Sequence, residues 1–195
     1  MFNIMPSQKD LEYQKELYLK GEELAFAGKT EEALECFEEI LKVNPNQLDA
    51  LINGGVGLAK TGRLEEALKR FEKALDIAPT DVDALQQKAE TMAQLGMSKK
   101  DDIQFLYALK ICEEVSKKTP NLTLNNLMYK RIILNALDMT EEELKIAKKI
   151  AELDPDNEAV KEMVRQIESD LTLREQMSEE DWVRRHVKGN FDDLK

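Results

Sequence analysis

The side chains that could do chemistry are few and scattered along the chain. His186 is the only histidine, so no histidine cluster can gather around a metal ion. Cys36 and Cys112 each fall inside an apolar-periodic segment, and no CxxC spacing is present. That pattern points to two buried thiols rather than a zinc site or a redox pair. The runs EEAL (31–34 and 65–68) and EEEL (141–144) supply carboxylates. Each stands where a helix should begin, and acidic side chains there meet the helix dipole favourably. GGVG at 54–57 is rich in glycine, but no strand precedes it and it falls in mid-helix, so it is no phosphate loop. The expectation is a protein with no catalytic residues, no metal and no cofactor, hence not an enzyme.

Composition narrows the partners. The 195 residues carry 39 acidic and 28 basic side chains, a net charge of −11. Phosphate binding needs a surplus of Lys and Arg on one face, so neither nucleic acid nor an anionic membrane is expected as the main partner. No apolar run reaches the length of a membrane span. The start, MFNIMPSQKD, has no basic segment leading into an apolar one. The expected location is the cytoplasm.

The elements that must position any site are announced by a repeat. GKTEEALECFEEILKVNPN (28–46) and GRLEEALKRFEKALDIAPT (62–80) are the same pattern 34 residues apart. Gly28 aligns with Gly62, Ala33 with Ala67, Phe37 with Phe71, Leu41 with Leu75 and Pro45 with Pro79; Gly96 follows at the same interval. A fixed period of this length means stacked supersecondary units. Leu51, Gly55 and Leu58 share one helical face, and Leu64, Ala67, Leu68, Phe71, Ala74 and Leu75 form a broad apolar stripe. The spacing predicts helices over about 48–60 and 64–77, with a left-handed turn at Gly62 and a stop before Pro79. Gly55 and Ala67 should sit where two helices approach closely. Phe37 and Phe71 should fill the space between one helix pair and the next.

This order of small, aromatic, small and proline residues resembles the tetratricopeptide repeat. The resemblance implies an all-α fold, a right-handed α-solenoid of helix hairpins with a C-terminal capping helix. The expected units are about 14–47, 48–81, 82–123 with an insertion, and 124–157, within a single domain over 1–173. Ser7 and Asp10 form a candidate capping box that would start the first helix early. In the third unit Ala108 lies seven residues later than the period requires, which suggests a longer loop or an extra turn around 97–103. The fourth unit departs from the pattern: Arg131 and Glu143 occupy small-residue positions, and Asp138 replaces the loop glycine. Ala159, Val160, Met163, Val164, Ile167 and Leu171 give the cap (158–173) one apolar face. In the extension, 174–195, Ser178 and Asp181 would open a short helix carrying Trp182, Val183 and Val187 and ending at Gly189.

The resemblance also implies a concave groove lined by the first helix of each pair. Its candidate ligand-binding residues are Tyr18 and Glu22, then Ile52, Asn53 and Val56, then Gln86, Gln87 and Glu90, then Tyr129 and Ile132. Apolar and aromatic side chains suit an extended segment or a helix laid in the groove, and the amides suit a peptide backbone. One subgroup of the family binds the C-terminal carboxylate of heat-shock chaperones through Lys, Asn and Arg. Tyr18, Glu22, Asp83 and Gln87 stand at those positions here, and only Asn53 matches. An acidic groove repels a carboxylate, so that ligand is not expected. The expected function is a non-enzymatic protein–protein interaction scaffold whose partner is a protein or peptide. The alternative is a self-assembling module, a homodimer through its end helices or the Trp182 segment.

Overall fold

The computed structural model describes residues 8–118 and 124–176, and all regular structure among them is helical. The helices are α1 (Gln8–Phe26), α2 (Thr30–Val43), α3 (Leu48–Lys60), α4 (Leu64–Ile77), α5 (Val82–Lys99), α6 (Asp102–Lys118), α7 (Leu124–Ala136), α8 (Thr140–Leu153) and α9 (Glu158–Gln176). The chain divides into two compact units, Met1–Asn121 and Leu122–Lys195. The side chains of Ser7 and Asp10 lie outside the described residues. So do Ser178, Asp181, Trp182, Val183, His186, Val187 and Gly189.

In the first unit each helix packs on the next, and α3 also touches α5. The result is an all-α solenoid of hairpins, the fold expected from the repeat. One apolar cluster joins Leu17, Phe37, Ile40, Leu51, Ala74 and Ala84, and a second joins Leu34, Leu58, Ala67 and Phe71. The clusters run from hairpin to hairpin, so no pair buries its apolar stripe alone.

The phenylalanines join the clusters between hairpins, as expected, and also pack within their own hairpins. A methyl group on Gly21 would lie 2.8 Å from the Phe37 ring, and one on Gly55 would lie 2.6 Å from the Phe71 ring. Each ring therefore fills space inside its own hairpin, over a glycine of the first helix. Phe37 and Phe71 are both almost fully buried.

The hairpin turns explain the departures in the third and fourth pairs. Gly28 (φ 77°) and Gly62 (φ 81°) are left-handed, as a Cβ-free residue allows. Asp138 takes the same conformation (φ 56°), and Asp is among the few side chains that tolerate it. Gly96 does not make the third turn. α5 runs through it to Lys99, and the left-handed residue is Lys100 (φ 53°). Gly96 is instead buried beneath the ring of Phe105, 3.2 Å from where its Cβ would be. The insertion has therefore lengthened both helices of the hairpin, not its loop. Its new turn is closed by the Lys100 and Asp101 N–H groups, which donate to the Gly96 carbonyl, and by Asp101, whose carboxylate accepts from the Ile103 N–H at 3.0 Å.

Successive hairpins are also tied at the surface through glutamates one period apart, Glu31 and Glu65, and Glu38 and Glu72. Arg63 pairs with Glu31 at 2.9 Å and Lys99 with Glu65 at 2.7 Å. Arg70 pairs with Glu38, and Lys88 with Glu72 at 3.3 Å. Exposed pairs contribute little stability each.

In the second unit Leu127 of α7, Ile150 of α8 and Val160 of α9 meet in one cluster, with Met128, Ile146 and Met163 around them. The Asn157 side chain caps α9 by accepting from the Ala159 and Val160 N–H groups at 3.1 and 3.3 Å. Arg131 and Glu143 face each other across α7 and α8. The Arg131 guanidinium donates to Glu143 at 2.8 Å, and the Asn135 amide donates to the other carboxylate oxygen at 3.0 Å. Glu143 is only 2 % exposed. The two unexpected residues are one ion pair, with the glutamate buried and the arginine half-buried.

Candidate functional site

The first helices of the first two hairpins, α1 and α3, are joined by a short chain of hydrogen bonds. Asn53 Nδ2 donates to the Tyr18 hydroxyl at 3.0 Å, and that hydroxyl donates to Glu22 Oε1 at 2.9 Å. The Tyr18 ring tilts against Phe37, with centroids 6.1 Å apart. Burial, and then the bond to Glu22, push the Tyr18 phenol up to about 12. It therefore remains a proton donor to Glu22 at neutral pH.

Beside these bonds lies an open pocket of about 420 Å³. Its floor is apolar: Ala33, Leu34 and Phe37 of α2, with Gly57 and Val56 of α3. Gly57 is part of its construction, since a methyl group there would lie 2.8 Å from Leu34. The rim is polar and carries both charges, with Glu22, Asn53, Thr30 and Lys60. Phe26, the last residue of α1, stands at the same rim and is 97 % exposed. A concavity of this size with an apolar floor and a few placed polar groups has the general form of a binding site.

The sequence-derived candidates separate into groups. Glu22, Asn53 and Val56 line the pocket, and Tyr18 braces its wall through Asn53 and Glu22. Ile52 packs against both apolar clusters of the first unit and does not line the pocket. Gln86, Gln87 and Glu90 lie half-buried on α5, apart from the pocket. Glu90 there accepts from Gln94 at 3.4 Å. Tyr129 and Ile132 are half-buried on α7, in the second unit. The α2 residues of the floor did not emerge from the groove reading, because their periodicity marks them as packing. The missing side chain at Gly57 was the one signal that pointed there.

Among the described residues no group of three or more His, Cys, Asp or Glu side chains is placed to hold a metal ion. No helix among them is long and apolar enough to cross a membrane.

A stack of helix hairpins whose first helices share one face defines an α-solenoid protein. Residues 17–47 and 57–81 match the tetratricopeptide repeat family. Solved structures agree in fold. MamA 41-end from Desulfovibrio magneticus RS-1 superimposes with a TM-score of 0.71 at 19% identity, covering 82% of this chain and 86% of that one. MamA AMB-1 gives 0.66 at 20% identity, covering 84% and 92%. TTC0263, a thermophilic TPR protein in Thermus thermophilus, gives 0.67 at 17% identity, covering 81% and 82%. At these identities the likeness is one of fold. No curated protein matches the chain in sequence.

Proposed function

We propose that this protein is a non-enzymatic interaction scaffold that binds a segment of another protein on the face formed by its first helices. The pocket between α1 and α3 seats an apolar side chain of that segment. The observation that carries this reading is the pairing of an apolar floor with Phe26, an aromatic side chain held almost wholly in water at the rim. Aromatic side chains at the edge of a preformed pocket are the usual anchors of protein recognition. The Asn53–Tyr18–Glu22 bonds hold the wall in place before any partner arrives, which lowers the ordering cost of binding. The amides of Asn53, Gln86 and Gln87 suit the backbone of an extended segment. Tyr129 and Ile132 supply a separate contact surface on α7. With a net charge of −11, neither nucleic acid nor an anionic membrane is the main partner in this reading.

The test is selection of peptides from a random library on the immobilised full chain, followed by affinity measurement on variants. Phe26→Ala and Val56→Glu should each weaken the selected peptides by about tenfold or more. Ile52 is left unchanged because it does not line the pocket. Peptides that bind both variants as they bind the parent would remove the pocket from the function.

A further inference from the structure

The rim of the α1–α3 pocket carries one charge of each sign, at opposite ends. The Tyr18 hydroxyl is bonded to both Asn53 and Glu22, which places those two side chains at one end. Asp49 adds to the negative field there, since its carboxylate also acts on the Tyr18 hydroxyl. Lys60 stands two turns after Asn53 on α3, about 10 Å further along the helix axis. Phe26 stands one turn after Glu22 on α1. As first helices of their hairpins α1 and α3 run the same way, so Lys60 and Phe26 form the other end of the rim.

Other surface charges of these hairpins are engaged with one another. Glu31 pairs with Arg63, Glu38 with Arg70, and Lys29 with Glu32 at 3.3 Å. Glu22 and Lys60 line the same cavity, yet neither forms an ion pair with any described residue. The Tyr18 hydroxyl holds Glu22 through Oε1, and Oε2 takes no hydrogen bond from a described residue. Between the two charges the floor is Ala33, Leu34, Phe37 and Val56, with no polar side chain among them. A ligand that fills this cavity must be apolar in its middle and oppositely charged at its two ends.

Resting on the reading that the pocket seats an apolar side chain of a partner segment, we propose that this segment carries Lys or Arg on one side of that side chain and Asp or Glu on the other. The cation meets Glu22 and the anion meets Lys60. A segment without charges would cover both rim charges and leave them unpaired. A segment charged with one sign only would match one end and be repelled at the other. The apolar residue supplies most of the affinity, and the two charges fix which way the segment lies. Leu19, which is 49 % exposed, Glu22 and Phe26 follow one another along one side of α1. The methylenes of a Lys or Arg brought to Glu22 therefore meet apolar surface on either side of the carboxylate.

The test is selection from a random peptide library on the full chain, run in parallel on the parent and on Glu22→Lys combined with Lys60→Glu. Both positions are exposed and both new residues are good helix formers, so the fold should hold by circular dichroism. Peptides selected on the parent should carry a basic and an acidic residue on opposite sides of an apolar one. Peptides selected on the exchanged protein should carry the two charges in the reverse order. Two milder variants, Glu22→Gln and Lys60→Gln, read the same contacts where the exchange disturbs the fold, since Gln at position 22 keeps an acceptor for the Tyr18 hydroxyl. Replacing the basic residue of a selected peptide with Ala should weaken its binding to the parent by about fivefold. The same replacement should leave its binding to Glu22→Gln nearly unchanged, and the acidic residue should behave likewise towards Lys60→Gln. Peptides that need Phe26 and Val56 but show no charge preference would overturn this inference and leave the pocket reading standing. So would a charge order that the exchange does not reverse. Peptides that need neither Phe26 nor Val56 would remove the pocket reading itself, and the inference with it.

Discussion

The second and fourth hairpins solve one packing problem with opposite chemistry. In α3–α4 the two helices approach through Gly55 and Ala67, and the Phe71 ring fills the space beside the glycine. In α7–α8 the corresponding residues are Arg131 and Glu143, joined at 2.8 Å with Glu143 buried. The first solution is dispersive and depends on shape. The second depends on charges that were stripped of water and must satisfy each other. Removing an atom from the apolar hairpin leaves a gap. Removing a partner from the ionic hairpin leaves a stranded charge, which is the costlier error.

The comparison breaks most sharply at Glu143. Glu143→Ala leaves the Arg131 guanidinium and the Asn135 amide without their acceptor and should cost about 3–5 kcal/mol, read by urea unfolding. Arg131→Ala combined with Glu143→Ala brings both positions close to the small residues of α3–α4. It should recover most of that loss. Two single variants whose costs simply add in the double would show that the pair does not act as a unit.

Next come the glycines of α3. Gly55→Ala forces a methyl group to within 2.6 Å of the Phe71 ring and should cost about 1–3 kcal/mol. A methyl group on Gly54 meets only the Phe37 Cβ, at 3.7 Å. Gly54→Ala should therefore stabilise by up to about 1 kcal/mol through helix propensity. Neighbouring positions with opposite signs, measured as shifts in thermal midpoint, would confirm that close approach and not glycine content matters here. The smallest effect belongs to the third turn. Lys100→Gly removes a side chain from a left-handed residue (φ 53°) and should raise stability by about 1 kcal/mol. Gly96→Ala should destabilise, because that glycine packs on Phe105.

Where the sequence obeys its own period, the fold was legible in detail. α3 and α4 run over Leu48–Lys60 and Leu64–Ile77, the ranges read from apolar spacing, Gly62 and Pro79. Gly96 misled because a turn glycine and a packing glycine look alike in a periodic alignment. Only the ring of Phe105, brought over it by the longer α6, distinguishes the two. Arg131 and Glu143 read as two separate faults, since their opposition exists only once α7 and α8 are folded together. At the candidate site, helix phase was close enough to find Glu22, Asn53 and Val56. Ile52, one residue before Asn53, is half-buried against the apolar clusters and does not line the pocket. The pocket floor on α2 was hidden because a residue that packs and a residue that lines a cavity share the same periodicity.

The central claim is that the α1–α3 pocket is where this scaffold meets its partner. The most direct measurement replaces Phe26 with a photo-crosslinking phenylalanine and, in a parallel chain, places the same group at Glu66 on the outer side of α4. Both chains are irradiated with a peptide selected on the parent protein. The account predicts a crosslink from position 26 and none from position 66, with the position 26 product lost when Val56→Glu is added. A crosslink that forms equally from both positions, or that survives Val56→Glu, would contradict it.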